Sequence, residues 1–261
     1  MERLNRTFRH GLGTALHRAR WVLPFYLASL GLGILQAWPM LLTGGAAHRN
    51  PLSTRLARGN TDAVVDLFLG SPEAFAYVGV WTLVALALVP IYALVYNFWS
   101  GGIVSLAADT YSFWQGCRRT FWSFTALGLL LFLLMGLAGG VGALLGRLLG
   151  WGSLVLVAVL LALVNGLGEY ARAAAAVHGR LNPFVLLGQA FGFCLRHLPG
   201  VLLLGLAGLL LHAALLGVYG WAAGQAGGGL VTIMLQQLTT LLFIWIKALR
   251  LSWATAYVRG S

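Results

Sequence analysis

Apolar positions in this chain run in blocks far longer than a soluble helix or strand requires. Five stretches carry no Asp, Glu, Lys or Arg: 21–48, 74–108, 120–146, 148–168 and 197–246. They hold 28, 35, 27, 21 and 50 residues, whereas a helix crossing the hydrocarbon core of a bilayer takes roughly 20. The first four stretches accommodate one crossing each and the last accommodates two. The pattern predicts an all-α polytopic membrane protein with six transmembrane helices, over about 21–43, 77–99, 124–146, 152–172, 198–219 and 230–251. The few residues between the third and fourth spans, around Arg147 to Gly150, force those two to be antiparallel neighbours.

Three segments outside the spans are amphipathic or apolar but too short to cross. In residues 1–20, Leu4, Phe8, Leu12, Leu16 and Ala19 recur at helical spacing against a basic face, as in a helix lying in the membrane interface. In 109–123, Phe113, Cys117 and Phe121 do the same, with Arg118 and Arg119 directed elsewhere. A third apolar stretch covers 181–195. All three are expected on the cytoplasmic face. The chain thus divides into a basic amphipathic segment (1–20), one transmembrane domain (21–255) and a short tail (256–261). Pro90 should kink the second span and Gly101-Gly102 should end it. In the polar loop 44–75, Thr61 or Asp62 is placed to cap a short helix through Phe68 and Leu69. Each hairpin of spans follows a segment ending in Arg and an aromatic or apolar residue. Either a weak internal repeat or the ordinary chemistry of inner loops accounts for that.

Composition agrees with the pattern. The chain of 261 residues is 59% hydrophobic and 9% charged, with a mean hydropathy of +0.84, against about 25% charged residues in soluble domains. A water-soluble enzyme and a nucleic-acid-binding domain are excluded. The net charge of +11 reflects where the Arg residues lie. With the N-terminus inside, thirteen basic residues fall on the inner side (Arg3, Arg6, Arg9, Arg18, Arg20, Arg118, Arg119, Arg172, Arg180, Arg196, Lys247, Arg250, Arg259) and four on the outer (Arg49, Arg55, Arg58, Arg147). Cytoplasmic loops are the basic ones, so both termini are expected in the cytoplasm. The partners implied are anionic lipid headgroups and other membrane subunits, not nucleic acid. Trp21, Trp99, Trp122, Trp245 and Trp253 are expected at inner span ends, and Trp38, Trp81, Trp151 and Trp221 near outer ones.

Candidate chemistry is sparse. Polar residues inside spans are the usual functional pointers, and here they are Asn97, Asn165, Glu169, His212, Gln236 and Gln237. Glu169, with Arg172 one turn on, reads as a structural ion pair near the inner interface. By depth, Lys247 and Arg250 are also within its reach, and Glu169 is expected to pin the fourth span to the sixth. A substrate or ion path would run by Asn97, Asn165, Glu169 and Gln236. His212 reads either as a single axial ligand for a pigment or as a packed side chain bonded to a backbone carbonyl. Gly136-xxx-Gly140, Gly142-xxx-Gly146, Gly205 and Gly208 mark faces where helix backbones approach closely in lipid. The two cysteines, Cys117 and Cys194, fall on the reducing side and form neither a disulfide nor a metal site. No zinc, nucleotide or acid–base constellation is present, so no enzymatic activity, metal or cofactor is expected.

At Gly101-Gly102-Ile103, at Phe113 to Trp122 and at Glu169-Tyr170-Ala171-Arg172-Ala173, the chain resembles a group of bacterial six-span proteins similar to the membrane domain that accompanies glycerophosphodiester phosphodiesterases. The likeness is one of layout over about 20–255. It implies a non-catalytic module of the bacterial inner membrane, because the soluble phosphodiesterase domain has no counterpart here. The expectation is therefore an accessory or scaffold subunit packing against partners or lipid. The alternative is a transporter or channel for a small solute or lipid. A polar centre built from several spans would favour transport; a centre sealed by Leu, Val and Phe would favour the scaffold.

Overall fold

The computed structural model describes residues 7–9, 11–13, 16, 19–47, 72–149, 152–225 and 230–260. Among these the chain is helical and contains no strand. A 3-10 turn at Ala19–Trp21 leads into α1 (Val22–Ala47), followed by α2 (Pro72–Ala107), α3 (Phe113–Leu149), α4 (Gly152–His178), α5 (Pro183–Arg196), α6 (Leu198–Gln225) and α7 (Leu230–Arg259). Five helical segments are long and apolar enough to cross a membrane: Thr82–Ala107, Phe113–Gly142, Leu156–His178, Leu198–Gln225 and Val231–Arg259. The expected short helix after Thr61 or Asp62 lies outside the described residues.

Three expectations about boundaries are corrected. Gly101-Gly102 does not end the second span, because α2 runs on to Ala107. The pair instead lies where α2 meets α3. A Cβ at Gly102 would lie 2.7 Å from Cys117 Sγ and closer still to the Phe113 ring, and one at Gly101 would strike Thr120. The segment 109–123 is no separate interfacial helix: from Phe113 on it is the first part of α3. The last span does not stop near 251 but continues to Arg259, since Leu251, Trp253, Ala254, Tyr257 and Val258 are apolar enough to keep the helix buried.

The stretch 183–196 does form its own helix. Asn182 caps it, its side chain accepting from Phe184 N and Val185 N at 3.1 and 3.4 Å, and Pro183 occupies the first turn, where its missing N–H costs nothing. Pro199 begins α6 and prevents the two helices from fusing. No proline lies between Phe113 and Leu149, so α3 passes unbroken through the corresponding point.

Packing contacts define two tiers. Helices α2, α4 and α7, the second members of the three hairpins, contact one another. Outside them, α1 lies against α2 and α7, α3 against α2 and α4, and α6 against α7, while α5 packs on α4. Apart from Gly142, every buried residue described on these long helices falls towards one end: 97–107 on α2, 113–131 on α3, 168–176 on α4, 200–208 on α6 and 244–258 on α7. On α2, α4 and α7 that end carries small residues, as in Ser100 to Gly102, Ala173 to Ala176 and Ala248 to Ala254. Lipid tails are as apolar as Leu, so helices in a bilayer gain little by burying large side chains and associate where small ones let backbones approach.

The described part of the N-terminal segment joins the same end. Phe8 meets Trp253 edge-on at 4.7 Å, Trp21 stacks on Phe113 at 4.3 Å, and Trp99 Nε1 donates to Trp21 O at 2.8 Å. Arg259 pairs with Asp109 at 3.0 Å, tying the end of α7 to the α2–α3 turn.

Candidate functional site

The inner helices bring several interior polar groups to one place. From α4 come Glu169 and Arg172, which share a helix face with Asn165, at i, i+4 and i+7. From α7 come Lys247 and Arg250, one turn apart, and from α2 come Tyr96 and Asn97. At 1.5 Å per residue, Arg250 lies about 14 Å and Lys247 about 18 Å along α7 from its last residue. Both lie within α7, inside the stretch 230–251 expected to span, and the helix runs on beyond them to Arg259. Trp245 is likewise at the midpoint of α7 and not at a span end.

Glu169 does not pair with Arg172. Its ion pair is with Arg250, whose Nη2 sits 2.9 Å from Oε1 and donates to Oε2 at 3.0 Å. Side-chain exposures of 7% for Glu169 and 19% for Arg250 make this a substantially buried contact. Arg172 turns the other way: Nη2 donates to Asn97 Oδ1 at 3.0 Å and Nη1 to Gly168 O at 3.3 Å. Neighbours at i and i+3 on one helix face can pair, but here each charge is taken by a group on a different helix, Glu169 by Arg250 on α7 and Arg172 by Asn97 on α2.

Aromatic faces hold the cations further. The Arg172 guanidinium lies 5.1 Å from the Tyr96 ring centre and 5.8 Å from that of Phe124. Lys247 Nζ sits over the same Tyr96 ring at 4.2 Å. Such contacts strengthen when water is excluded. Two glycines make room: a Cβ at Gly128 would lie 2.9 Å from Asn97 Nδ2, and one at Gly208 2.7 Å from Arg250 Cδ.

The remaining candidates fall as follows. Asn165 is half-buried, one turn from Glu169 towards the open end. Gln236 is exposed, and it is Gln237 that turns inward, accepting from Tyr26 OH at 3.1 Å. His212 has Nδ1 2.7 Å from Gly208 O and its ring 5.2 Å from Phe243, which is the packed, carbonyl-bonded reading. Gly142 abuts Val157, whereas among the described residues a Cβ at Gly136, Gly140 or Gly205 would meet nothing within 4 Å. The surroundings of Gly146 lie outside the described residues. Reasoning from sequence missed Tyr96 altogether and ended the last helix too soon after Lys247 and Arg250. The mostly apolar run from Ala248 to Val258 was the available signal that α7 continues past both.

The arrangement offers guanidinium, ammonium and amide donors with one carboxylate, which suits charge recognition. Among the described residues no group of three or more His, Cys, Asp and Glu comes together to hold a metal. Comparisons of the chain with protein-family models, with curated proteins and with solved structures found no match.

Proposed function

We propose that this chain is a six-span protein of the bacterial inner membrane, with both termini cytoplasmic, that binds and moves a small solute or lipid at the centre of α2, α4 and α7. Helix α1 supplies the sixth crossing alongside the five apolar segments. The observation that carries the reading is the meeting of Asn97, Glu169, Arg172, Lys247 and Arg250 from three separate helices. Holding the helices together accounts for the Glu169–Arg250 and Arg172–Asn97 contacts but not for a further cation at Lys247, and a charged side chain at the bilayer centre costs about 2.5–3.5 kcal/mol on insertion scales. Leu, Val and Phe would pack there at no such cost. No residue of the centre acts as a nucleophile or a general base in this reading, so the protein is non-catalytic.

The test is access. In a background with Cys117→Ala and Cys194→Ala, Asn165→Cys should react with a small membrane-impermeant thiol reagent from one face of oriented vesicles. Failure to react from either face removes the water path and, with it, transport.

One observation favours the accessory-subunit reading as a second. Gly136 and Gly140 face open space on α3, beside exposed Leu133, Leu137 and Val141, a surface suited to a partner helix. Recovery of one stoichiometric partner after mild extraction, lost on Gly136→Leu, would establish it.

A further inference from the structure

The charges of the inner site do not balance. Glu169 is the one carboxylate among Arg172, Lys247 and Arg250, and all three cations act on it electrostatically. The carboxylate is engaged by Arg250. Arg172 satisfies its two terminal nitrogens on Asn97 and Gly168, but its Nε has no hydrogen-bond partner although the residue is only 5% exposed. Among the described residues Lys247 has the Tyr96 face as its contact and no carboxylate or carbonyl. Among the described residues, three cations stand against one anion here, a formal excess of two positive charges, with Arg172 buried and Lys247 and Arg250 partly exposed. Ionisable groups at membrane depth normally pair with one another or line a polar path, and desolvating an ion without a counter-charge costs several kcal/mol.

We infer that the centre of α2, α4 and α7 is a binding site for a phosphoryl group, held by Lys247 and the free edge of Arg172 with Arg250 behind them. This deepens the proposed function and rests on it for the site being a ligand site at all. The charge count selects the class. A phosphomonoester carries about −1.5 to −2 at neutral pH, which matches the excess of two, whereas a carboxylate or a halide would cancel half of it. Arg presents a planar fork of donors to phosphate oxygens and Lys adds a point charge, the two donor types found here. Phosphate reaches such a site either as a free ion or as the headgroup of a lipid.

The experiment uses the whole protein in dodecyl maltoside, with thermal unfolding followed by tryptophan fluorescence. Inorganic phosphate is titrated in one arm, and phosphatidic acid in mixed micelles, against phosphatidylcholine, in the other. Sodium chloride and sodium acetate at equal ionic strength are the references. A saturable rise in melting temperature with inorganic phosphate identifies a soluble ligand; a rise confined to phosphatidic acid identifies a lipid headgroup. Lys247→Gln should weaken either response about tenfold, the loss of one charge-assisted contact, and Lys247→Arg should retain it. Arg196→Gln, at the exposed end of α5, should titrate like the unaltered protein. Lys247→Met serves if the Gln variant does not fold. The inference is overturned if neither phosphoryl source shifts the melting, if acetate shifts it equally, or if Lys247→Gln and Lys247→Met respond like the unaltered chain. Labelling at Asn165→Cys without phosphate binding would sink this inference and leave transport standing. Phosphate binding without labelling would do the reverse.

Discussion

Glu169 on α4 and Arg250 on α7 form a buried ion pair at 2.9 Å, spanning 81 positions of sequence, while Arg172, a single turn from Glu169, is bonded to Asn97 on α2. The two pairs together link all three inner helices. Neither pair runs along one helix, so each resists separation of the bundle rather than unwinding of a segment.

Breaking one side of such a contact strands the other. Glu169→Gln leaves Arg250 buried without a counter-ion, and the expected loss is about 3 kcal/mol, the scale for removing one partner of a buried pair. Because Arg250 keeps some exposure, the loss should fall at or below that figure. The double variant with Arg250→Gln should lose less than the two single variants combined. Thermal melting in detergent measures all three, and unchanged melting of Glu169→Gln would show that the pair does not hold α4 to α7.

Glycines here separate into two classes by what surrounds them. Gly102→Ala places a methyl group against Phe113 and Cys117, and overpacking of this kind costs about 1–3 kcal/mol. Gly136→Ala and Gly205→Ala meet open space and should be neutral or gain about 0.5–1 kcal/mol from helix propensity. A Gly102→Ala variant melting no lower than Gly136→Ala would contradict the contact between α2 and α3.

Thiol chemistry gives a pH test outside the spans. Burial pushes the Cys194 thiol up to about 11, so at neutral pH it is almost entirely protonated, and the thiolate is the reactive form. Alkylation of Cys194 in the folded protein should be slow at pH 7. It should rise about tenfold per pH unit until the pH approaches that value. A plateau near pH 9 would mean that the thiol is not buried as described.

Turn geometry supplies another. Gly179, directly after α4, has φ +67°, and Asp109, after α2, has φ 55°; each is followed by a helix four positions later, at Pro183 and Phe113. Gly179→Val should cost about 1–2 kcal/mol, because a Cβ in the left-handed region crowds the backbone. The exposed Asp109–Arg259 pair should be worth under about 1 kcal/mol, so Asp109→Asn, which tolerates the same φ, should change melting little. A large drop on Asp109→Asn would assign that pair a greater part in closing the bundle.

Much of this fold was legible because hydropathy acts over twenty residues at a time. Long runs free of charge locate helices whatever those helices touch, whereas the local starts at Asn182-Pro183 and Pro199 became clear only with the helices in place. Boundaries were harder. Gly101-Gly102 looks like a helix end in isolation, and only its fit against Phe113, Cys117 and Thr120 shows it to be a contact. The glycine spacing at 136 and 140 looks like a contact, and the packing leaves it open.

By itself, the sequence determined that this is a helical chain built for lipid, that polar groups within it are few, and that Glu169 has to be paired. These follow from transfer free energies that each residue carries independently of its neighbours. Which cation Glu169 takes, and the convergence of Asn97, Arg172 and Tyr96, were decided by tertiary structure alone. Partner choice depends on the radial direction of each side chain and on the close approach of helices at small residues, and both exist only once the helices have docked.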